Sequence, residues 1–170
     1  MTTARDILKE ALQPQFDFDF DETRRLLELA RRLSKERFLA GNSHNSRGLQ
    51  AIFAHILGAD RFWRGVFTGS TEMTEEEVDE TSLDGLIAWT ESEQAKWREY
   101  MAELDDGKLV ARFEGDLPFG NFSFTIGQAM QHVIFHGLQH HTEIAQLLTE
   151  AGHSPGDVDY FDYIAVRRGE

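Results

Sequence analysis

Four of the seven histidines in the chain fall within ten residues, His132, His136, His140 and His141 of "HVIFHGLQHH". At about 100° per residue, His136 and His140 share one helical face. Two imidazoles at i and i+4 can converge on one metal ion. A core histidine held by one hydrogen bond is the plainer outcome of the same spacing. With His136 set at 0°, Ala129, Val133, His140, Ile144, Leu147 and Ala151 fall between roughly +20° and +80°. His132 lies to one side of that apolar stripe. His141 lies about 140° round and is expected to face solvent.

An upstream segment, "RGLQAIFAHILGADRFWRGVFTG", raises the weight of the pair. His55 falls on a stripe with Ile52, Ala59, Phe62, Trp63 and Val66, so an imidazole stands in an otherwise apolar, inward face. A buried histidine must satisfy two ring nitrogens. Three that meet are easier to explain with a cation than without one. Periodicity does not say whether the two helices touch. Three neutral imidazoles would fill three of four tetrahedral positions and leave one for water or substrate, the pattern of a catalytic site. Imidazole suits zinc, nickel, copper or iron alike. The chain has no cysteine, so sulfur chemistry would need an external thiol.

The elements that must carry these residues read as helices. "FDFDFDETRR" alternates apolar and acidic residues, as a strand would. The preferred reading is an acidic lead into a first helix, "TRRLLELARRLSKERFLAG", with Asp19, Asp21 and Glu22 complementing its N-terminal dipole. Leu26, Leu27, Ala30, Leu33 and Phe38 recur in it at helical spacing. "GNSHNS" is a turn, and Ser46 is the expected N-cap of the His55 helix. "STEMTEEEVDETS" reads as a solvated connection. A third helix is expected from about Leu83 to Leu104, with Trp89, Ala95, Trp97 and Met101 as its apolar contributors. Between Val110 and Phe124 a Pro/Gly turn flanked by alternating apolar residues predicts a short hairpin. Thr125 and Gln128 then form a capping box for the fourth helix, which Gly152 ends. Four amphipathic helices make an all-α bundle the expected architecture.

The 170 residues predict one domain, 1–170. A net charge of −13 repels phosphate backbones, so no nucleic-acid partner is expected. No apolar run is long enough to span a membrane. The N-terminus lacks the basic and apolar regions of a signal peptide, which points to the cytoplasm.

Three stretches together, "AHILGADRFW", "HVIFHGLQHHTEIAQLL" and "AGHSPGDVDYFDYI", resemble the DinB/YfiT-like superfamily, which is related to the metal-binding domain of mycothiol-dependent maleylpyruvate isomerase. The resemblance implies a four-helix bundle, here with a hairpin-like insertion before the last helix. It implies a zinc or nickel ion held by His55, His136 and His140. It also implies transfer chemistry in which a low-molecular-weight thiol attacks a small electrophile. Metal-dependent hydrolysis and a non-catalytic, stress-associated metal-binding role remain alternatives. Relatives commonly follow the last histidine with Arg-Gly-Gln, whereas this chain has His141, Thr142 and Glu143.

Other residues carry two readings each. Glu143 is a candidate to orient a ligand histidine or act as a base, or is a solvated helix residue. Phe62, Trp63 and Trp89 wall a pocket or simply fill the core. Tyr160 and Tyr163 cover the bundle mouth or pack as a surface tail. His44 and His153 are expected in solvated loops. Phe53, Leu57 and Phe67 lie behind the His55 stripe, which suggests a partner helix and a homodimer.

Overall fold

The computed structural model describes residues 7–41, 47–70 and 79–165. Four long helices carry the fold: α1 (Ile7–Ala30), α3 (Leu49–Thr68), α4 (Leu83–Ala102) and α6 (Ile126–Glu150). Short helices α2 (Lys35–Leu39), α5 (Asp106–Val110) and α7 (Tyr160–Ile164) link or follow them. Strands β1 (Arg112–Leu117) and β2 (Gly120–Thr125) form an antiparallel hairpin with Phe113 paired to Phe124. The expected hairpin and the Thr125–Gln128 capping box are both present. His44, Ser46 and most of the acidic run 75–80 lie outside the described residues.

The helices form a ring in which α1 and α3 each touch both α4 and α6. Contacts between neighbours give their directions. Asp19 lies against Gly137 and Thr23 bonds His141, so α1 and α6 run parallel. His55 meets His136 and His140 while Trp63 meets His132, so α3 and α6 run antiparallel. Between them lies a core that includes Phe16, Phe20, Leu26, Ile52, Phe53, Ile56, Trp97, Met130 and Ile144.

Several expectations are corrected. The "FDFDFD" stretch is neither a strand nor a lead into a helix; it is the interior of α1. Helical spacing sorts its residues. Phe16 and Phe20 enter the core, and Phe18 packs against Tyr160 and Tyr163. Asp17 pairs with Arg98, while Asp19 and Glu22 are buried. The first helix ends at Ala30 rather than running on to Gly41, and Ser34 caps the separate α2. The cap of α3 is Gly48, not Ser46. Ala95 faces outward, and its neighbours Glu93 and Gln94 are the buried ones.

The surface that suggested a homodimer is internal to the chain. Phe53 and Leu57 are both 0% exposed, and Phe67 packs on Trp97 and Tyr100. The inward face of α3 is Leu49, Ile52, Phe53, Ile56, Leu57 and Asp60, which leaves His55 exposed at its edge. α7 and its lead-in dock on α1, the helix diagonal to α3. Tyr163 donates to Asp21 Oδ2 at 2.8 Å and Arg25 donates to the Pro155 carbonyl at 2.7 Å. They are a packed tail.

Gly137 is required by a close approach. A Cβ there would overlap the Asp19 carboxylate. A helix-interior Gly→Ala change free of clashes gains about 1 kcal/mol. Gly137→Ala should instead lose roughly 1–3 kcal/mol in urea unfolding. Adding Asp19→Ala should recover much of the loss, because the two positions share one contact. Strict additivity of the two changes would show that the contact does not constrain the helices.

Candidate metal centre

α3 contributes His55, and α6 contributes His136 and His140 from successive turns. One ligand-capable nitrogen from each lies within 4.8 Å of the other two. Ligand nitrogens of one tetrahedral metal stand about 3.3 Å apart, given bonds near 2.05 Å. His55 Nε2 and His136 Nε2 are 3.1 Å apart. The three ring centroids are separated by 4.6–4.9 Å. Among the described residues this is the one cluster of histidine and carboxylate groups that meets such a spacing. The donor set therefore fits a divalent ion that accepts imidazole.

The surroundings prepare the rings. His140 Nδ1 lies 2.9 Å from Glu143 Oε2. A carboxylate accepts, so the proton sits on Nδ1 and the Nε2 lone pair is left for the centre. Burial, then the charges of His140, His55 and His132, push His136 down to about 4. Burial and His140 also lower His55, against the pull of Glu143. Both rings are thus neutral at pH 7, the state a ligand needs. Exposure is graded across the centre: His140 is buried, His136 half-buried and His55 exposed. The centre consequently sits at the rim of the bundle, open on its His55 side.

His132 stands beside the centre, 6.1 Å from His136 between ring centroids, with Trp63 edge-on at 5.5 Å. Trp63 and Phe62 are half-buried near the hairpin, whereas Trp89 belongs to the core. His153 is half-buried after α6.

His141 corrects the expectation that it faces out, for it is 0% exposed. Thr23 Oγ1 donates its one hydrogen to the Asp19 carbonyl at 3.0 Å. His141 Nε2, 2.7 Å from that hydroxyl, must therefore be the donor to it. Nδ1 is left with a lone pair, 3.8 Å from Asp19 Oδ1. Two acceptors face each other there unless Asp19 holds a proton. Asp60 is equally buried, and neither of its oxygens has a partner. Burial pushes Asp19 up to about 8 and Asp60 well above the usual range; the neighbours Glu22, Asp19 and Glu93 add to it. Glu93 keeps its charge company with Arg64, Nε to Oε1 at 2.5 Å. A polar layer of Asp19, Asp60, Glu93 and His141, one residue per long helix, thus crosses the bundle beside the centre. Sequence patterning missed it because acids and histidines do not register as core positions.

The DinB family profile matches residues 17–169. The chain belongs to the DinB family. Its fold is similar to that of a DinB-like protein from Bacillus cereus ATCC 10987, at a TM-score of 0.68 and 19% identity over 87% of this chain and 96% of that one. A DinB-like protein from Bacillus subtilis superposes at a TM-score of 0.62 with 18% identity, covering 82% and 93% of the two chains. At these identities the likeness shows the DinB-like helical bundle alone. A search of curated proteins gives no match. Among the described residues, no helix is long and apolar enough to cross a membrane.

The polar layer generates a stability prediction. The folded pKa of Asp19 lies above its unfolded value of 3.8, so the fold favours the protonated acid. That contribution is full below about pH 4 and is lost as pH rises toward about 8. His141, pushed down to about 3 by burial, acts oppositely and costs stability as pH falls below 6.5. Asp19→Asn cannot ionise. Its stability relative to wild type should rise between pH 5 and pH 8, by up to ~1.4 kcal/mol per pH unit. Parallel urea-unfolding curves for the two proteins across that range would show that Asp19 is ionised in the fold.

Proposed function

We propose that this DinB family protein is a metal-dependent enzyme. His55, His136 and His140 hold a divalent ion, zinc or nickel, and a low-molecular-weight thiol attacks a small electrophile there. The observation that carries the reading is the convergence of three imidazoles at an open rim, with one ring already oriented by a carboxylate. A bound ion supplies a positive centre that favours the deprotonated form of a thiol or water beside it. The chain's own residues do the rest. Glu143 fixes the tautomer of His140, and His55 on the exposed side leaves the approach open. With no cysteine in the chain, the sulfur nucleophile comes from solution. A surface of net charge −13 suits a small-molecule substrate and disfavours nucleic acid.

The test begins with metal analysis of protein made without a histidine tag. The expected result is one ion per chain, lost almost entirely in His55→Ala, which is exposed enough to leave the fold intact. His132→Ala should retain the ion. Glu143→Ala should weaken affinity by about 10–100-fold through loss of the acceptor that fixes the tautomer of His140. Because the fold lowers His55 and His136, occupancy should persist below pH 6.5 and fall as pH approaches about 4. The holo-protein should accelerate reaction of a free thiol with chlorodinitrobenzene, and a chelator should abolish the acceleration. Ester hydrolysis without thiol would replace this reading with metal-dependent hydrolysis. Full occupancy with neither activity would leave a metal-binding protein without turnover.

A further inference from the structure

The stripe of α3 that begins at His55 continues through Ala59, Phe62 and Val66, all half-buried. At its far end the hairpin folds over it. A cavity of about 330 Å³ lies between Phe62, Gly65 and Val66 on α3 and Phe113, Leu117 and Pro118 on the hairpin. Asp116 is the one charged side chain in its lining. The cavity is about twice the ~150 Å³ that admits a benzene ring, and it falls in the size range of small-ligand pockets.

Aromatic rings join the cavity to the metal centre. Phe62 lies 5.9 Å from Phe119 at the hairpin tip and 5.5 Å from Trp63. Trp63 meets His132, and His132 meets His136. Phe119 is 61% exposed at this end of the groove. Such an apolar side chain, held in water beside an apolar cavity, gains by contact with a ligand. Phe62, at the near edge of the cavity, is seven residues beyond His55, about 10 Å along the axis, and Val66 is eleven residues beyond it, about 16 Å.

We propose that the substrate of the metal centre carries an uncharged, ring-sized apolar group, which seats in this cavity while its reactive head lies roughly 10–16 Å away at the three histidines. The proposal rests on the metal-centre reading and adds the substrate class. The apolar group confers affinity and sets the distance between head and body. Trp63 and Phe62 form the wall along which the intervening chain lies.

Hydroxamates test it, because their heads chelate a bound metal without any thiol chemistry. Acetohydroxamate, titrated into metal-loaded protein by calorimetry, reports the head alone. Phenylalkyl hydroxamates of increasing spacer length report the cavity. Affinity relative to acetohydroxamate should rise by roughly tenfold or more at a spacer that spans roughly 10–16 Å, and fall beyond it. That ratio should collapse toward one in Phe62→Ser and in Leu117→Ser, two variants on different elements, and should persist in Phe161→Ser on α7. A ratio that stays flat with spacer length, with acetohydroxamate still bound, overturns the cavity proposal and leaves the metal centre standing. Failure of acetohydroxamate to bind the loaded protein overturns the open metal position on which the proposed enzyme reading rests, and the cavity proposal with it.

Discussion

The carboxylate of Asp19 occupies the space where a Cβ of residue 137 would stand, and the placement of His136 and His140 depends on that contact. It brings α1 and α6 together without the usual side-chain layer and fixes the rotation of α6. Met130, Gly137, His141, Ile144 and Leu148 are buried in the bundle, at roughly 80–140° from His136. His132, His136, His140 and Glu143 are then carried toward α3, on the side away from α1. The close contact also fixes the height of α6 along the bundle. One turn beyond it, His141 reaches Thr23. A larger residue at 137 would shift His136 and His140 together, because both ride on the same helix.

The polar layer runs against stability. A buried acid without a partner gives up hydration and gains nothing in return unless it stays protonated. Asp60, with neither oxygen paired, is the clearest case. Glu93 avoids the problem through Arg64, and Glu22 through Arg25. Apolar residues throughout the core must offset what remains. The layer lies one residue from His140 in sequence and shares α6 with it. Any change that disturbs the layer therefore reaches the histidine cluster through the helix, even though Asp19 and Asp60 are not part of it.

The sequence exposes three of the four long helices and the hairpin because their apolar residues repeat clearly and the capping box before the last helix is unambiguous, whereas it displaces the first helix toward the C-terminus. It also places His136 and His140 on one face. What it misjudges is the direction of that face. An apolar stripe drawn through Ala129, Val133 and Leu147 omits Gly137 and His141, since neither counts as apolar. Including them turns the inward direction by several tens of degrees. The same error on α3 puts His55 in the core and Phe53 and Leu57 outside. His55 thereby moves from the middle of the interior to its edge, His136 stands half-buried, His140 stays buried and His141 turns inward. The "FDFDFD" segment fails for a related reason: its strand-like alternation is local, and tertiary packing on α4, α6 and α7 gives each side chain its own helical environment.

That edge position is what a reactive centre requires. A triad deep in the interior would be closed, whereas this one, at the rim, has two rings held by one helix and a third facing water. His136 and His140 are set by one helix, and Glu143 holds the second of them in a single tautomer. His55 arrives from another helix, so the geometry of the centre depends on the spacing of α3 and α6. Ile52, Ile56, Val133 and Met130 fix that spacing from within the core. The binding groups are therefore preorganised by apolar packing on one side and left accessible on the other. The groove along α3 follows from the same arrangement. The strip that carries His55 out of the core also carries Ala59, Phe62 and Val66 to the surface, and the hairpin covers its end. A helix turned fully inward would leave neither an accessible histidine cluster nor a groove beside it.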